Sequence, residues 1–138
     1  MSDLKKYLLS VKKITTQKTY ESIVLKYGRA FEAPAHPRPK GIRKGSNKHC
    51  FMNSYRLTKQ GYRYVEGFAI ANIGVQFPIQ HAWVVDDKDN VIETTWAESG
   101  LEYYGIIFDR EFVNKVMLEL KVYGIMDFRS KTFREKFG

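Results

Sequence analysis

A chain of 138 residues that is 43% apolar and 14% aromatic can bury one core but has no room for two ordinary domains. Residues 1–138 therefore read as a single folded domain rather than a disordered segment. Lys and Arg outnumber Asp and Glu by 23 to 15, a formal charge of +8, which can attract nucleic acid, anionic lipid or an acidic protein. One cysteine excludes an internal disulfide, no segment approaches membrane-spanning length, and the start Met-Ser-Asp-Leu-Lys-Lys has no apolar signal core. The expectation is a cytoplasmic protein without membrane contact.

In chain order, Leu4, Leu8 and Val11 recur at helical spacing among lysines. Thr15 or Thr16 can cap a second helix whose apolar stripe is Tyr20, Ile23, Val24 and Tyr27, with Gly28 as its stop. Residues 29–49 hold Pro34, Pro37, Pro39, Gly41 and Gly45, which exclude long regular structure. His36, Arg38, Lys40, Arg43, Lys44 and Lys48 make this loop strongly basic. Long loops of this kind often bind ligands or act as lids.

The stretch Lys48-His49-Cys50-Phe51-Met52-Asn53-Ser54 opens a helix running to about Lys59, capped by Ser46 or Asn47 and closed by Gly61. It carries the lone cysteine at a helix start, where the helix dipole favours the thiolate. Tyr62 to Ile70 is an aromatic, β-rich strand and Asn72 and Gly74 turn the chain. Ile79 to Val85 is a second strand, Asp86 to Asn90 a turn, Val91 to Trp96 a third strand, and Tyr103 to Phe108 a fourth. Asp109 caps a helix with Phe112, Val113, Val116, Met117 and Leu120 on its core face. The aromatic-basic tail 128–137 reads as a last packed helix in preference to a nucleic-acid contact. The order of elements defines an α+β domain.

A thiol nucleophile needs a base within reach and a third group to orient that base. His81, on a strand, is the candidate base; His36 lies in a loop and His49 adjoins Cys50, where side chains diverge. Strand parity selects the third group. His81, Trp83 and Val85 share a face, and a five-residue turn places Glu93 on that face with Trp83 opposite it, so that His81 and Glu93 are diagonal neighbours. Asp86 has the wrong parity. Taken singly, Cys50 and His81 also fit core packing; together with Glu93 they form a candidate catalytic triad.

The pattern of Cys50 at a helix start, His81-Ala82-Trp83 on a strand and Glu93-Thr94-Thr95 after it resembles the papain-like superfamily, nearest to its transglutaminase-like branch. The segments Cys50-Phe51-Met52-Asn53-Ser54, Tyr64-Val65-Glu66-Gly67 and His81-Ala82-Trp83 also resemble small uncharacterised proteins of bacteria and their phages. The likeness covers roughly residues 47–108, the expected catalytic core. It implies N-terminal helices and a nucleophile helix packed on an antiparallel sheet of about four strands, with a C-terminal helix. It further implies a cysteine-dependent amide hydrolase or acyl transferase (protease, deamidase or transglutaminase-like) acting on a protein or peptide-like amide, in the host cytoplasm if the protein is phage-encoded.

Glu93 replaces the family's more usual Asp or Asn, and no glutamine precedes Cys50 to donate to an oxyanion. The Cys50 amide is one donor, with Asn47 or Ser46 as a second. Arg43, Lys44, Lys48 and Trp83 are the candidate substrate contacts, and the basic loop suggests an acidic substrate. No ligand spacing points to a metal, and no phosphate loop or dinucleotide fingerprint points to a cofactor. The alternative is a basic binding module without enzymatic activity, either a phage-encoded inhibitor of a host protein or a nucleic-acid-binding protein, though no nucleic-acid motif is present.

Overall fold

The computed structural model describes residues 2–74 and 76–138. The described residues fold into an α+β domain of five helices on one curled antiparallel sheet. Its elements are α1 (Asp3–Ile14), α2 (Tyr20–Tyr27), β1 (Arg29–Phe31), α3 (Cys50–Thr58), β2 (Arg63–Ile70), β3 (Pro78–Val85), β4 (Val91–Ile92), β5 (Glu102–Phe108), α4 (Arg110–Leu120) and α5 (Lys131–Phe137). The strand order is β1-β5-β2-β3-β4, every pair antiparallel.

Local chemistry accounts for most boundaries. Ser2, Thr19, Asp109 and Ser130 cap α1, α2, α4 and α5 through side-chain oxygens that accept backbone N–H groups. The cap of α2 is Thr19, in a reciprocal pair with Ser22, and not Thr15 or Thr16; the helix begins where its apolar stripe begins. Among the described residues, no side chain caps α3. Its N-cap is His49, so the expected caps at Ser46 and Asn47 are not used, the latter because Asn47 Oδ1 is taken by Lys44 Nζ at 2.7 Å.

The two faces of the sheet have different cores. Tyr64, Phe68, Ala82, Ile106 and Phe108 meet Leu4, Leu8, Ile23, Val24, Val113, Val116, Phe133 and Phe137 of the helices. The tail therefore packs, as its aromatic spacing implies. The other face encloses Phe31, Val65, Ala69, Trp83, Val85, Val91 and Tyr103. Glycines let this inner face close: a Cβ on Gly105 would meet Trp83 Cη2 and Glu66 O at 2.9 Å, and one on Gly67 would lie 2.2 Å from Tyr104 O.

Arg29–Phe31 lies within the expected loop 29–49 but pairs with β5; three residues are too few to carry a periodic signal. A few residues on, the His36 amide bonds Val91 O at 2.8 Å, bridging to Ile92 at the opposite edge. Residues 29–36 thus connect both edges of the sheet and curl it around Trp83. The sheet has five strands, not four. Among the described residues, no helix is long and apolar enough to cross a membrane.

Candidate functional site

The turn between β3 and β4 has the expected length and register. Val85 faces Val91 and Val84 faces Ile92, which carries Glu93 to the His81 side. Asp86 makes the turn by accepting from the amides of Lys88 and Asn90, each at 2.9 Å, and Asp89 is clipped by Arg29 and Arg63. The strand does not continue to Trp96, however. After Ile92 the Glu93 carboxylate bends back and accepts the amides of Thr95 and Trp96, each at 2.9 Å. Those amides are lost to any ladder, so residues 93–96 form a turn.

That turn assembles a sealed pair. His81 and Glu93 are only 2% and 3% exposed. His81 Nε2 lies 3.0 Å from Glu93 Oε1 and 3.2 Å from Oε2, and Tyr103 Oη donates to Oε1 at 2.8 Å. Burial works to raise the Glu93 pKa, but the hydrogen bond and charge of His81, together with the amides of Trp96 and Thr95, outweigh it and hold the carboxyl below its usual value. An ionised carboxylate only accepts hydrogen bonds. Nε2 must therefore carry a proton toward Glu93, so that in the neutral imidazole Nδ1 is the lone-pair nitrogen. Trp96 stacks on the imidazole with ring centroids 3.7 Å apart and planes 7° from parallel, and Arg38 Nη1 anchors the Glu93 carbonyl at 3.1 Å.

Cys50 arrives from the other side of β3. Its helix packs on β3 and β2, and the amide of Ala82, the residue after His81, points at its sulfur. The sequence-based expectation of a lowered thiol pKa is overturned. Burial pushes the Cys50 thiol up to about 11, aided by the negative charges of Glu66 and Glu93 and opposed by the amides of Ala82 and Phe51. The resting thiol is therefore protonated at neutral pH.

Two groups of residues not singled out from the sequence hold the parts together. Asn53 Nδ2 bonds Thr95 Oγ1 and Ser46 O, both at 2.9 Å, and Ser54 Oγ lies 2.9 Å from Thr94 Oγ1. These bonds rivet α3 to the turn that carries Glu93. The available signal was an Asn-Ser pair one turn after the cysteine on a buried helix face. Glu66 is 2% exposed and accepts from Ile125 N at 2.9 Å, Met126 N at 2.8 Å and Tyr64 Oη at 2.5 Å. Burial raises its pKa against those three bonds.

The remaining site candidates separate. Trp83 is completely buried and its Nε1 is sealed from solvent without a partner, so it is core and cannot touch a substrate. Arg43 lines a small cavity with Asn53, Arg56 and Gln60 along the flank of α3, away from its first residue. Lys48 is exposed in a left-handed conformation with φ of 67°. Lys44 and Asn47 line a cavity with Trp96, and Ser46 is held through its carbonyl by Asn53. Among the described residues, no group of three His, Cys, Asp or Glu side chains could hold a metal ion.

Neither family models, curated proteins nor solved structures yielded a match to this chain.

Proposed function

We propose that the protein is a cysteine-dependent amide hydrolase or acyl transferase of papain-like or transglutaminase-like type, with Cys50 as nucleophile, His81 as base and Glu93 as the residue that fixes the base. The observation that carries this reading is the His81–Glu93 pair: a buried carboxylate pins Nε2–H and leaves Nδ1 as the lone-pair nitrogen, one residue along the strand from the amide that meets the Cys50 sulfur.

The chemistry follows from the protonation states. Cys50 rests as a thiol, so its proton moves to His81 Nδ1 as sulfur attacks the carbonyl. Glu93 stabilises the imidazolium so formed. The tetrahedral oxyanion is met by the Cys50 amide, and by the Asn47 side-chain NH2, whose Oδ1 is already turned to Lys44. His81 then gives the proton to the departing amine. The thioester is released by water, giving hydrolysis or deamidation, or by an amine, giving transfer.

A simple acyl donor tests this. With p-nitrophenyl acetate near neutral pH, intact-mass analysis should find one acetyl group, on Cys50, and none in Cys50→Ala. His81→Ala should slow acetylation about 10²- to 10⁴-fold, the usual contribution of a positioned base. Acetylation no faster than that of the same thiol in the denatured chain would refute the reading. It would favour instead a basic binding module on this scaffold, to which the raised thiol pKa would then be a simple consequence of burial.

A further inference from the structure

A cavity of about 730 Å³ abuts the candidate triad through Trp96, which stacks on His81. It is lined by Trp96 and by Ile79, which shares the His81 face of β3. Lys44 and Asn47, ahead of Cys50 in the chain, line it together with Asn72 and Glu98. By contrast, a cavity of about 470 Å³ lined by Thr58, Tyr62 and Asp109 lies at the far end of α3, about 12 Å along the helix from Cys50.

The two charges that line it, Lys44 and Glu98, are not equivalent. Lys44 is half-buried, and its ammonium bonds only neutral acceptors, Asn47 Oδ1 at 2.7 Å and Gly45 O at 3.2 Å. Among the described residues it makes no ion pair. Glu98 is exposed and already holds Asn72 Nδ2 at 3.1 Å. A partly desolvated cation without a counter-charge attracts an anion more strongly than an exposed carboxylate attracts a cation.

β3 also shows how a ligand would lie. Ile79 walls this cavity, while Gln80, pointing to the opposite face, walls a smaller one of about 250 Å³ with Phe51 above Glu66. A chain laid across the edge of β3, where the Ala82 amide meets the Cys50 sulfur, would reach both.

We infer that the cavity beneath Trp96 is a specificity site for a large apolar side chain flanked by a carboxylate, so that the protein selects an apolar–acidic peptide segment. This assignment rests on the acyl-transfer reading of Cys50 and names its substrate class. The volume suits one aromatic or branched aliphatic side chain with adjoining backbone, the stacked indole supplies a flat apolar wall, and Lys44 meets the neighbouring carboxylate.

The test is binding, read without turnover. In full-length Cys50→Ala protein, the indole N–H resonance of Trp96, assigned by loss in Trp96→Phe, is followed as capped dipeptides are added. N-acetyl-Phe-Asp-amide should shift it saturably at millimolar concentration. N-acetyl-Phe-Lys-amide and N-acetyl-Gly-Asp-amide should bind about five- to tenfold more weakly. Lys44→Gln should abolish the preference for Asp over Lys and keep that for Phe over Gly. Equal shifts with the Asp and Lys peptides, a preference that survives Lys44→Gln, or no saturable shift would each overturn the assignment. None of these outcomes bears on acetylation of Cys50, so failure here and failure of the triad are separately visible.

Discussion

Exchanging Glu93 for glutamine replaces one oxygen by NH2 and should reverse the tautomer of His81. In the native turn, Oε2 accepts the amides of Thr95 and Trp96, and these donors have no other partner. The glutamine oxygen must therefore occupy that site, which places its NH2 where Oε1 now lies, 2.8 Å from Tyr103 Oη and 3.0 Å from His81 Nε2. Both groups then have to accept. Tyr103 can, because its hydroxyl is already an acceptor for Gly100 N. His81 can do so only by moving its proton to Nδ1, the atom that should receive the thiol proton. Hydrogen bonds to a charged acceptor contribute about 1 kcal/mol more than neutral ones, so Glu93→Gln should cost about 2–3 kcal/mol and lower Tm by about 6–12 °C. Acetylation of Cys50 should fall about 10²- to 10⁴-fold. Long-range 1H–15N spectra of the imidazole distinguish the tautomers: Nε2–H in the native protein, Nδ1–H in the variant. A variant that keeps Nε2–H, or keeps its acetylation rate within a few-fold, refutes the reasoning. The pH dependence gives a second check. Because the folded Glu93 pKa lies below its unfolded value near 4.3, its stabilisation is fully present above that value and is lost as pH falls through the folded pKa. The stability gap between native protein and variant should be widest above about pH 5 and should shrink in more acid solution.

The remaining predictions concern the thiol and the packing around it. With a pKa of about 11, the Cys50 thiolate fraction at neutral pH is about one in ten thousand. Alkylation by iodoacetamide should therefore be slower than that of a model thiol and rise about tenfold per pH unit up to about pH 10. A rate that is flat across that range contradicts the burial argument. Glu66→Ala strands two backbone amides and the Tyr64 hydroxyl in the core, and should cost about 2–4 kcal/mol in urea unfolding; an unchanged midpoint would show that water replaces the carboxylate at no cost. Gly105→Ala presses a methyl group against Trp83 and the Glu66 carbonyl, for about 1–3 kcal/mol of strain. It should also alter the emission of the sealed Trp83, and unaltered emission at full stability would mean the sheet yields freely there.

What the sequence made legible was whatever one periodicity or one turn decides. The five residues Asp86–Asn90 set the β3–β4 register, and with it the side on which Glu93 stands. Asp109 and the aromatic spacing of Phe133 and Phe137 placed the last two helices. The misses arise where groups distant in sequence compete. Val91 to Trp96 alternates like a strand, but the Glu93 carboxylate takes the amides of its own chain, a choice stabilised by His81 and Tyr103. Asn47 looks like a helix cap until Lys44 claims its oxygen. The thiol pKa depends on how deeply α3 is pressed against the sheet and on Glu66 and Glu93 nearby; a helix start read alone gives the opposite sign. Trp83 and Trp96 illustrate the same limit. Both follow strand-like patterns, yet the curl of the sheet seals one and leaves the other stacked on the imidazole.

The tie between Glu66 and the amides of Ile125 and Met126 has a consequence for biosynthesis. Cys50, His81 and Glu93 are all made before those amides exist. On the ribosome, a chain extended through β5 holds Cys50, His81 and Glu93 while Glu66, whose charge raises the thiol pKa, lacks two of its three hydrogen-bond donors. Closing that last contact completes the environment of Cys50, so the nascent chain should acquire its mature reactivity only after residue 126 has emerged.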